Sequence, residues 1–455
     1  MKTQSLLNHC IELLGQIERS RSTPADELVS AYTRARKYLG AKERRALSEI
    51  VFATLRTKNT AEHCIALLCN HDHHPTAAHA LIGAIAGVAR RWASFDAAPL
   101  LSSAAATPID LFTELELLST AVLGCQLPSD WALQLEHMLQ ELDNPAPEIS
   151  ALALASCLPA WIVEHLLNHG FDAPTIHRLG RSLILPAPFT LRVVSPPNDR
   201  NSIISLLGAE GISARPTPYS PAGIILDERV RLIDHALYRT AAIEVQDEGS
   251  QLVSYALAPK EHWRILDACA GAGGKTLHLA ALQNDRGSIV ASDIDTARLV
   301  NLRRRLRRYR YRSIEIRLVE RRKVQPAQRF DAVLLDVPCS GFGTVRRSPE
   351  IKWRLQPAQL KRIVAKQQKI LDTYVPYVRS GGVLVYATCS ILPAENQCVL
   401  ERFLEQHPEF VPDPLAPAFA QYGIPLAVEP DQWFIQLFPH LHGTDGFFIA
   451  RMRRL

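Results

Sequence analysis

Residues 263–276 read Trp-Arg-Ile-Leu-Asp-Ala-Cys-Ala-Gly-Ala-Gly-Gly-Lys-Thr. Arg264 to Ala268 has the composition of a short buried strand. Gly271, Gly273 and Gly274 let the backbone turn tightly and come close to a ligand. From Thr276 to Leu282 the apolar spacing becomes helical. Strand, glycine turn and helix form the first unit of a nucleotide-binding α/β sheet, with the ligand at the strand's carboxyl end.

The loop chemistry narrows the ligand. A Walker A loop needs Gly, four residues, then Gly-Lys-Thr; Gly274-Lys275-Thr276 fits the end, but the leading position is Cys269. The dinucleotide fingerprint also fails, because Thr276 stands where its third glycine belongs. An acidic residue, Asp293, closes the next strand, Ser288-Ile-Val-Ala-Ser-Asp293, where it can accept ribose hydroxyls. Adenosine without a pyrophosphate fits best, which points to S-adenosylmethionine.

Outward from this stretch, β and α signals alternate to the C-terminus, as in a doubly wound sheet. Strands are expected at Arg264–Ala268, Ile289–Ser292, Ile314–Val319, Ala332–Asp336, Val383–Thr388 and Gly446–Met452. Between the second and third runs Arg303-Arg-Arg-Leu-Arg-Arg-Tyr-Arg-Tyr-Arg312, uninterrupted by acid. Arginine with interleaved tyrosine suits a phosphate backbone and unpaired bases.

Upstream, residues 1–142 read as all-helical. Thr23-Pro24 is a plausible helix start, and Lys42–Arg56 repeats apolar residues at three and four. Further helices are expected at Ala77–Trp92, Ile109–Val122 and Asp130–Leu142. Arg19, Arg21, Arg34, Arg36, Lys37, Arg44 and Arg45 either meet phosphates or form a solvated face. Asp143-Asn-Pro-Ala-Pro-Glu148 reads as a linker. Residues 150–245 form a small α/β subdomain, with helices at Ala160–Asn168 and Asn201–Leu207. Its strands are Phe189–Val194, closed by Ser195-Pro-Pro, and Gly223–Asp227. Val245–Gln251 leads into an amphipathic helix through Leu257, which opens the domain 246–455.

Composition bounds the class. A chain of 455 residues, 47% hydrophobic and 21% charged, is long enough for two or three globular domains. No apolar run spans a membrane, and the first residues lack a signal-peptide core. Nine cysteines without repeated spacing argue against a disulfide framework or zinc site and for a reducing cytoplasm. His71, His73 and His74 lack ligand-spaced partners other than Asp72, so no metal is expected. The net charge of +5 is mild, and a monomer is the default.

Two more motifs close strands on the ligand side. Asp336-Val-Pro-Cys-Ser-Gly-Phe-Gly343 ends the fourth strand, and Tyr386-Ala-Thr-Cys-Ser390 the fifth. In an open parallel sheet, Cys339 and Cys389 therefore face the donor. A thiol beside a methyl donor suits a carbon that is not itself nucleophilic, such as pyrimidine C5. Thiolate addition to C6 makes C5 enamine-like; after methyl transfer a base removes the C5 proton and the thiol leaves. Asp336 would hold the cytosine N3–N4 edge. Lys275 or Arg346 would favour the thiolate. Cys269, Cys398 and the N-terminal cysteines read as structural.

Residues 245–454 resemble the RsmB/Nop/Sun family of RNA cytosine-C5 methyltransferases. The resemblance rests on six motifs in order: Val245-Gln-Asp, Asp267–Thr276, Asp336–Gly341, Arg346-Arg-Ser-Pro-Glu-Ile-Lys-Trp353, Tyr386–Ser390 with Glu395-Asn396, and Asp445-Gly-Phe-Phe448. The helical front end (1–142) is similar to the NusB-like RNA-binding domain of the RsmB branch. The resemblance implies a Rossmann-like class I methyltransferase domain, preceded by that all-α domain and the small α/β RNA-binding subdomain. It implies Cys389 as nucleophile and Cys339 in adduct release, the reverse of the DNA enzymes. It places the donor against Cys269, Ala270, Gly271, Ala272, Gly273, Gly274 and Lys275, with Asp293, Asp336 and a third-strand acid, Glu320. Here Glu320-Arg321 replaces the family's Asp-Gly, and Ala272 a common proline. The NusB-like front favours small-subunit (16S) rRNA over tRNA by analogy. Amino-group methylation, which would leave Cys389 idle, and a non-catalytic RNA-binding or ribosome assembly factor are the competing readings.

Overall fold

The computed structural model describes residues 2–69, 76–104, 110–194, 199–319 and 329–455. His71, His73, His74, the Ser195-Pro-Pro turn and Glu320-Arg321 lie outside the described residues. The chain divides into two compact units, residues 1–186 with 344–357, and residues 187–343 with 358–455.

The first unit is helical. Its core collects the apolar faces of Thr3–Arg19, Ala41–Leu68 and the helices that follow. Each leucine or isoleucine so buried contributes about 1.5–3 kcal/mol. The helix expected over Lys42–Arg56 continues to Leu68. The helices expected near Ala77–Trp92 and Ile109–Val122 each contain a π-helical turn, at Ala84–Val88 and Ser119–Leu123. The stretch read as a linker is tied down. Asp143 accepts from Trp92 Nε1 at 3.0 Å and from Arg181 at 2.6 Å, and also bonds Arg91. One disulfide, Cys69–Cys125, joins two parts of this unit. It is a single cross-link that no repeated spacing announces, and it gives these two N-terminal cysteines a structural part.

The motif Arg346–Trp353 belongs to this helical unit. Lys352 is fully buried, and its ammonium donates to the carbonyls of Arg56 (2.6 Å) and Cys157 (2.9 Å). Burial pulls its pKa down to about 8. Trp353 Nε1 donates to Leu55 O, Arg354 to Ile17 O and Thr23 O, and the Arg56 guanidinium to Arg346 O. Glu350 accepts from the Ala25 amide. These bonds make the motif an anchoring segment.

The second unit holds two sheets. The smaller has the order β2-β3-β1-β4, with β1 Phe189–Val193, β2 Ala214–Pro216, β3 Gly223–Leu226 and β4 Ile243–Val245, all antiparallel. The larger comprises β5 Arg264–Asp267, β6 Ser288–Asp293, β7 Ile314–Leu318, β8 Phe330–Asp336, β9 Val378–Thr388, β10 Phe410–Pro412, β11 Phe434–Leu437 and β12 Phe447–Arg454. Its order is β10-β12-β9-β8-β5-β6-β7, with β11 beside β12. β9 to β7 run parallel and β12 antiparallel to β9. All six expected strands are present. The central ones read as continuous apolar runs because both faces are covered. β2, β4, β10 and β11 were not anticipated; at three or four residues they are too short to show a period.

Chain order reverses between β5 and β8, so the crevice lies outside their carboxyl ends. The Val245-Gln-Asp motif joins the two sheets. Glu248, in the helix Glu248–Leu257, accepts from the Tyr219 and Ser220 amides at 2.6 and 2.7 Å. Gln251 donates to Leu191 O, and Gln246 accepts from the buried Arg192 at 2.6 Å.

Candidate active site

The glycine turn is fixed from both ends. The amide of Gly271 donates to Asp293 Oδ2 at 2.8 Å, and the Asp295 amide to Asp293 Oδ1 at 2.9 Å. Gly273 has φ 83°, and a Cβ there would lie 2.2 Å from Leu302 Cδ1. Both the left-handed backbone and the close approach demand glycine. Thr276 donates to Asp267 Oδ2 at 2.6 Å, so the residue that breaks the dinucleotide pattern caps the buried strand end. Burial pushes the Asp267 carboxyl up to about 7.

Lys275, on the first turn of the helix Gly274–Leu282, reaches Asp336 Oδ2 at 2.6 Å. Burial pulls its pKa down, but Asp336 outweighs it and holds the ammonium charged. The Phe447 ring centroid lies 5.5 Å from this ammonium. Cys389 adds to the charges that hold the Lys275 ammonium protonated.

Cys339 and Cys389 meet. Their sulfurs are 3.3 Å apart, both half-buried. The bond to Cys389, then burial, then the Cys389 and Glu395 charges push the Cys339 thiol well up. Main-chain contacts hold the two loops in register. The Gly343 amide donates to Cys389 O at 2.9 Å, and the Gly446 amide to Gly343 O at 2.8 Å. A Cβ on Gly343 would fall 1.9 Å from Gly446 O. The motifs ending in Gly343, Ser390 and Phe448 thus converge backbone to backbone.

Of the residues expected at the site, Gly271–Lys275, Asp293 and Asp336 gather along the carboxyl ends of β5, β6 and β8, and the two cysteines pair beside them. Cys269 and Ala270 lie in the same loop, and burial pushes the Cys269 thiol up, away from the thiolate. Cys398 is exposed and packs in no core. Arg346 falls in the helical unit.

The arginine run is split. Arg305 and Arg308, together with the Tyr309 hydroxyl, turn inward to Glu244 at 3.2, 2.5 and 2.6 Å. Tyr309 is buried, so it does not stack on a base. Arg303, Arg304 and Arg307 remain exposed on the helix Thr296–Tyr309. Two residues that carry no role in the sequence reading, Glu395 and Asn396, sit among the two cysteine loops. Their adjacency in one motif was the only signal.

The donor set fits S-adenosylmethionine. Asp293 keeps both oxygens at the loop where ribose hydroxyls would lie, and Asp336 supplies a carboxylate at the neighbouring strand end. The donor would bring an electrophilic methyl group on a sulfonium. Among the described residues no group of three His, Cys, Asp or Glu is placed to hold a metal ion. No single helix there is long and apolar enough to cross a membrane.

A family model for the 16S rRNA methyltransferases RsmB/F matches residues 254–453, and one for the ferredoxin-like domain of RsmF/B-like proteins matches 158–232. A probable ribosomal RNA small subunit methyltransferase B of Bacillus subtilis (strain 168) is 32% identical over 317 residues, 67% of this chain and 68% of that protein. Ribosomal RNA small subunit methyltransferase B of Pasteurella multocida (strain Pm70) is 32% identical over 65% of each chain. The alignments thus span about two thirds of these relatives. Among solved structures, a methyltransferase homolog protein from Pyrococcus horikoshii has TM-score 0.57 and 27% identity, covering 68% of this chain and 100% of that one. PH0851 gives TM-score 0.73 at 22% identity over 100% and 99% of the chains, a likeness of fold alone. The chain belongs to the RsmB/F family of 16S rRNA methyltransferases, and as a member it is an S-adenosylmethionine-dependent RNA (cytosine-C5) methyltransferase.

Proposed function

We propose that the substrate is a cytosine of small-subunit rRNA, that Cys389 is the nucleophile and that Cys339 releases the adduct. The observation that carries this reading is the pair of thiols at 3.3 Å, at the strand ends beside the Lys275–Asp336 pair. The Cys389 thiolate adds to C6 and raises electron density at C5, which takes the methyl group. While Cys389 is a thiolate, Cys339 donates to it and keeps its own proton. Once the Cys389 sulfur is bonded to C6, that neighbouring charge is gone. Cys339 then gives up its proton to solvent more easily, its thiolate takes the C5 proton, and the C5–H electron pair re-forms the C5–C6 double bond as the C6–S bond breaks and Cys389 leaves as a thiolate. Asp336, steadied by Lys275, holds the base edge and the donor. Asp293 takes the ribose side, with Glu320 as the third acid.

The relatives named as small-subunit rRNA enzymes support the choice of RNA. RNA phosphates would meet the exposed Arg303, Arg304 and Arg307, and the exposed Arg21, Arg34 and Lys37 of the NusB-like front end. Ribosome assembly makes the cytoplasm the site of action. The test is genetic: delete the gene and map 5-methylcytosine across host rRNA and tRNA. One 16S position should lose its methyl group, regain it with the wild-type gene and not with Cys389→Ala. Loss confined to tRNA would overturn the rRNA assignment.

A further inference from the structure

The Glu395 carboxylate is fully buried and lies between the two cysteine loops. Its Oε1 accepts from the Ser340 amide at 2.7 Å and from Gln367 Nε2 at 3.3 Å. Its Oε2 accepts from the hydroxyls of Ser340 and Ser390, both at 2.5 Å. Ser340 follows Cys339 and Ser390 follows Cys389, so one carboxylate bonds the residue after each thiol.

Backbone amides occupy an acceptor position of each hydroxyl. The Ser340 hydroxyl accepts from the Phe342 amide, and the Ser390 hydroxyl from the Leu392 amide. Each hydroxyl therefore has its own proton to donate, and the two hydroxyl oxygens are 3.3 Å apart. Four donors thus point at the two carboxylate oxygens. No Lys or Arg among the described residues forms an ion pair with Glu395, so its charge is held by neutral dipoles. Gln367 adds a third tie, through a bond to Pro338 O, one residue before Cys339. The Glu395 carbonyl accepts from Tyr386, and Asn396 bonds Thr388 and Ser390, which fixes the second loop from the other side.

We propose that Glu395 is a positioning residue for both thiols, and that its buried carboxylate, bonded to the backbone amide and hydroxyl of the residue after Cys339, sets which sulfur attacks and which keeps its proton. The proposal rests on the covalent reading above and adds the cause of its asymmetry. A negative charge close to Cys339 disfavours that thiolate and leaves ionisation to its neighbour. The upward push on Cys339 from Glu395 has the expected sign.

The experiment is alkylation of the full-length protein without RNA. A brief iodoacetamide pulse across a pH series, followed by peptide mass spectrometry, gives separate rates for Cys339 and Cys389. In wild type Cys389 should react about tenfold faster or more, as the more acidic thiol. In Glu395→Gln that preference should fall to within about threefold, through a faster Cys339 with a lower pH midpoint. Turnover should fall about tenfold or more while the KM for S-adenosylmethionine stays within about threefold. A merely structural role would speed both thiols together. An unchanged preference in a folded Glu395→Gln would overturn the proposal. Should that variant not fold, Gln367→Leu decides. It removes one tie to Glu395, together with the bond to Pro338 O, without changing a residue of either cysteine loop, and should narrow the alkylation preference and lower turnover about threefold or more at constant donor KM. Full turnover there would overturn the proposal. The covalent reading fails separately, if Cys389→Ala retains RNA methylation.

Discussion

The sulfurs of Cys339 and Cys389 stand 3.3 Å apart although fifty residues separate them in the chain. The sheet brings them together: β8 and β9 are parallel neighbours paired from Phe330↔Val378 to Asp336↔Ala387, so loops leaving their carboxyl ends start side by side. Two thiols at this distance do not ionise independently. A charge on one raises the proton affinity of the other, so the pair favours one thiolate and one thiol, as the proposed division of roles requires.

That register depends on Gly343. Gly343→Ala would force a methyl group against Gly446 O and the Cys389 carbonyl, both backbone atoms. The expected cost is about 1–3 kcal/mol of stability. Methylation should be lost, while calorimetry should still show S-adenosylmethionine binding, because the glycine turn at β5 is untouched. Full activity in this variant would contradict the convergence of the three motifs.

Asp267 should write a pH signature on stability. Its carboxyl, buried with Oδ1 unpartnered, has its folded pKa raised to about 7. The folded chain then binds a proton that the unfolded chain has released. The stabilisation is complete below the ordinary value of about 3.9 and is lost as pH rises toward about 7, with a slope of up to about 1.4 kcal/mol per pH unit. Asp267→Asn, which keeps an acceptor for Thr276, removes that slope. Its melting temperature relative to wild type should climb between pH 5 and 7. Parallel curves would exclude Asp267 as the titrating group.

The arginines of the helix Thr296–Tyr309 should separate by face. Replacing Arg303, Arg304 and Arg307 by alanine should weaken RNA binding and lower its salt dependence by about 0.7 for each phosphate no longer neutralised. Thermal stability should barely change. Arg308→Ala strips a partner from the buried Glu244 and should cost about 1–3 kcal/mol of stability. Equal effects of the two faces on RNA binding would contradict the assignment.

The glycine turn, the parallel strands and the two cysteines were legible in the sequence because each rests on local chemistry. Gly273 is required by its own φ and by Leu302. β5, β8 and β9 are apolar because both their faces are covered. Position in a parallel sheet then delivers Cys339 and Cys389 to one edge. The inward turn of Arg305, Arg308 and Tyr309 was not legible, because their partner Glu244 lies some sixty residues upstream on an edge strand of three residues. The role of Glu395 was hidden for the same reason: a buried carboxylate is explained by its donors, and Ser340 lies fifty-five residues away. Lys352 carries no role in the sequence reading beyond its place in the motif Arg346–Trp353, because the two carbonyls that make it a buried anchor, those of Arg56 and Cys157, are far away in the chain.

The most direct measurement is covalent trapping. Wild type, Cys339→Ala and Cys389→Ala are each incubated with host RNA and S-adenosylmethionine, and denaturation-resistant protein–RNA bands are quantified. Cys339→Ala should accumulate the band, since its adduct forms and is not released, and Cys389→Ala should show none. A band from Cys389→Ala and none from Cys339→Ala would reverse the two roles. Active enzyme with no band from either variant would contradict the covalent account.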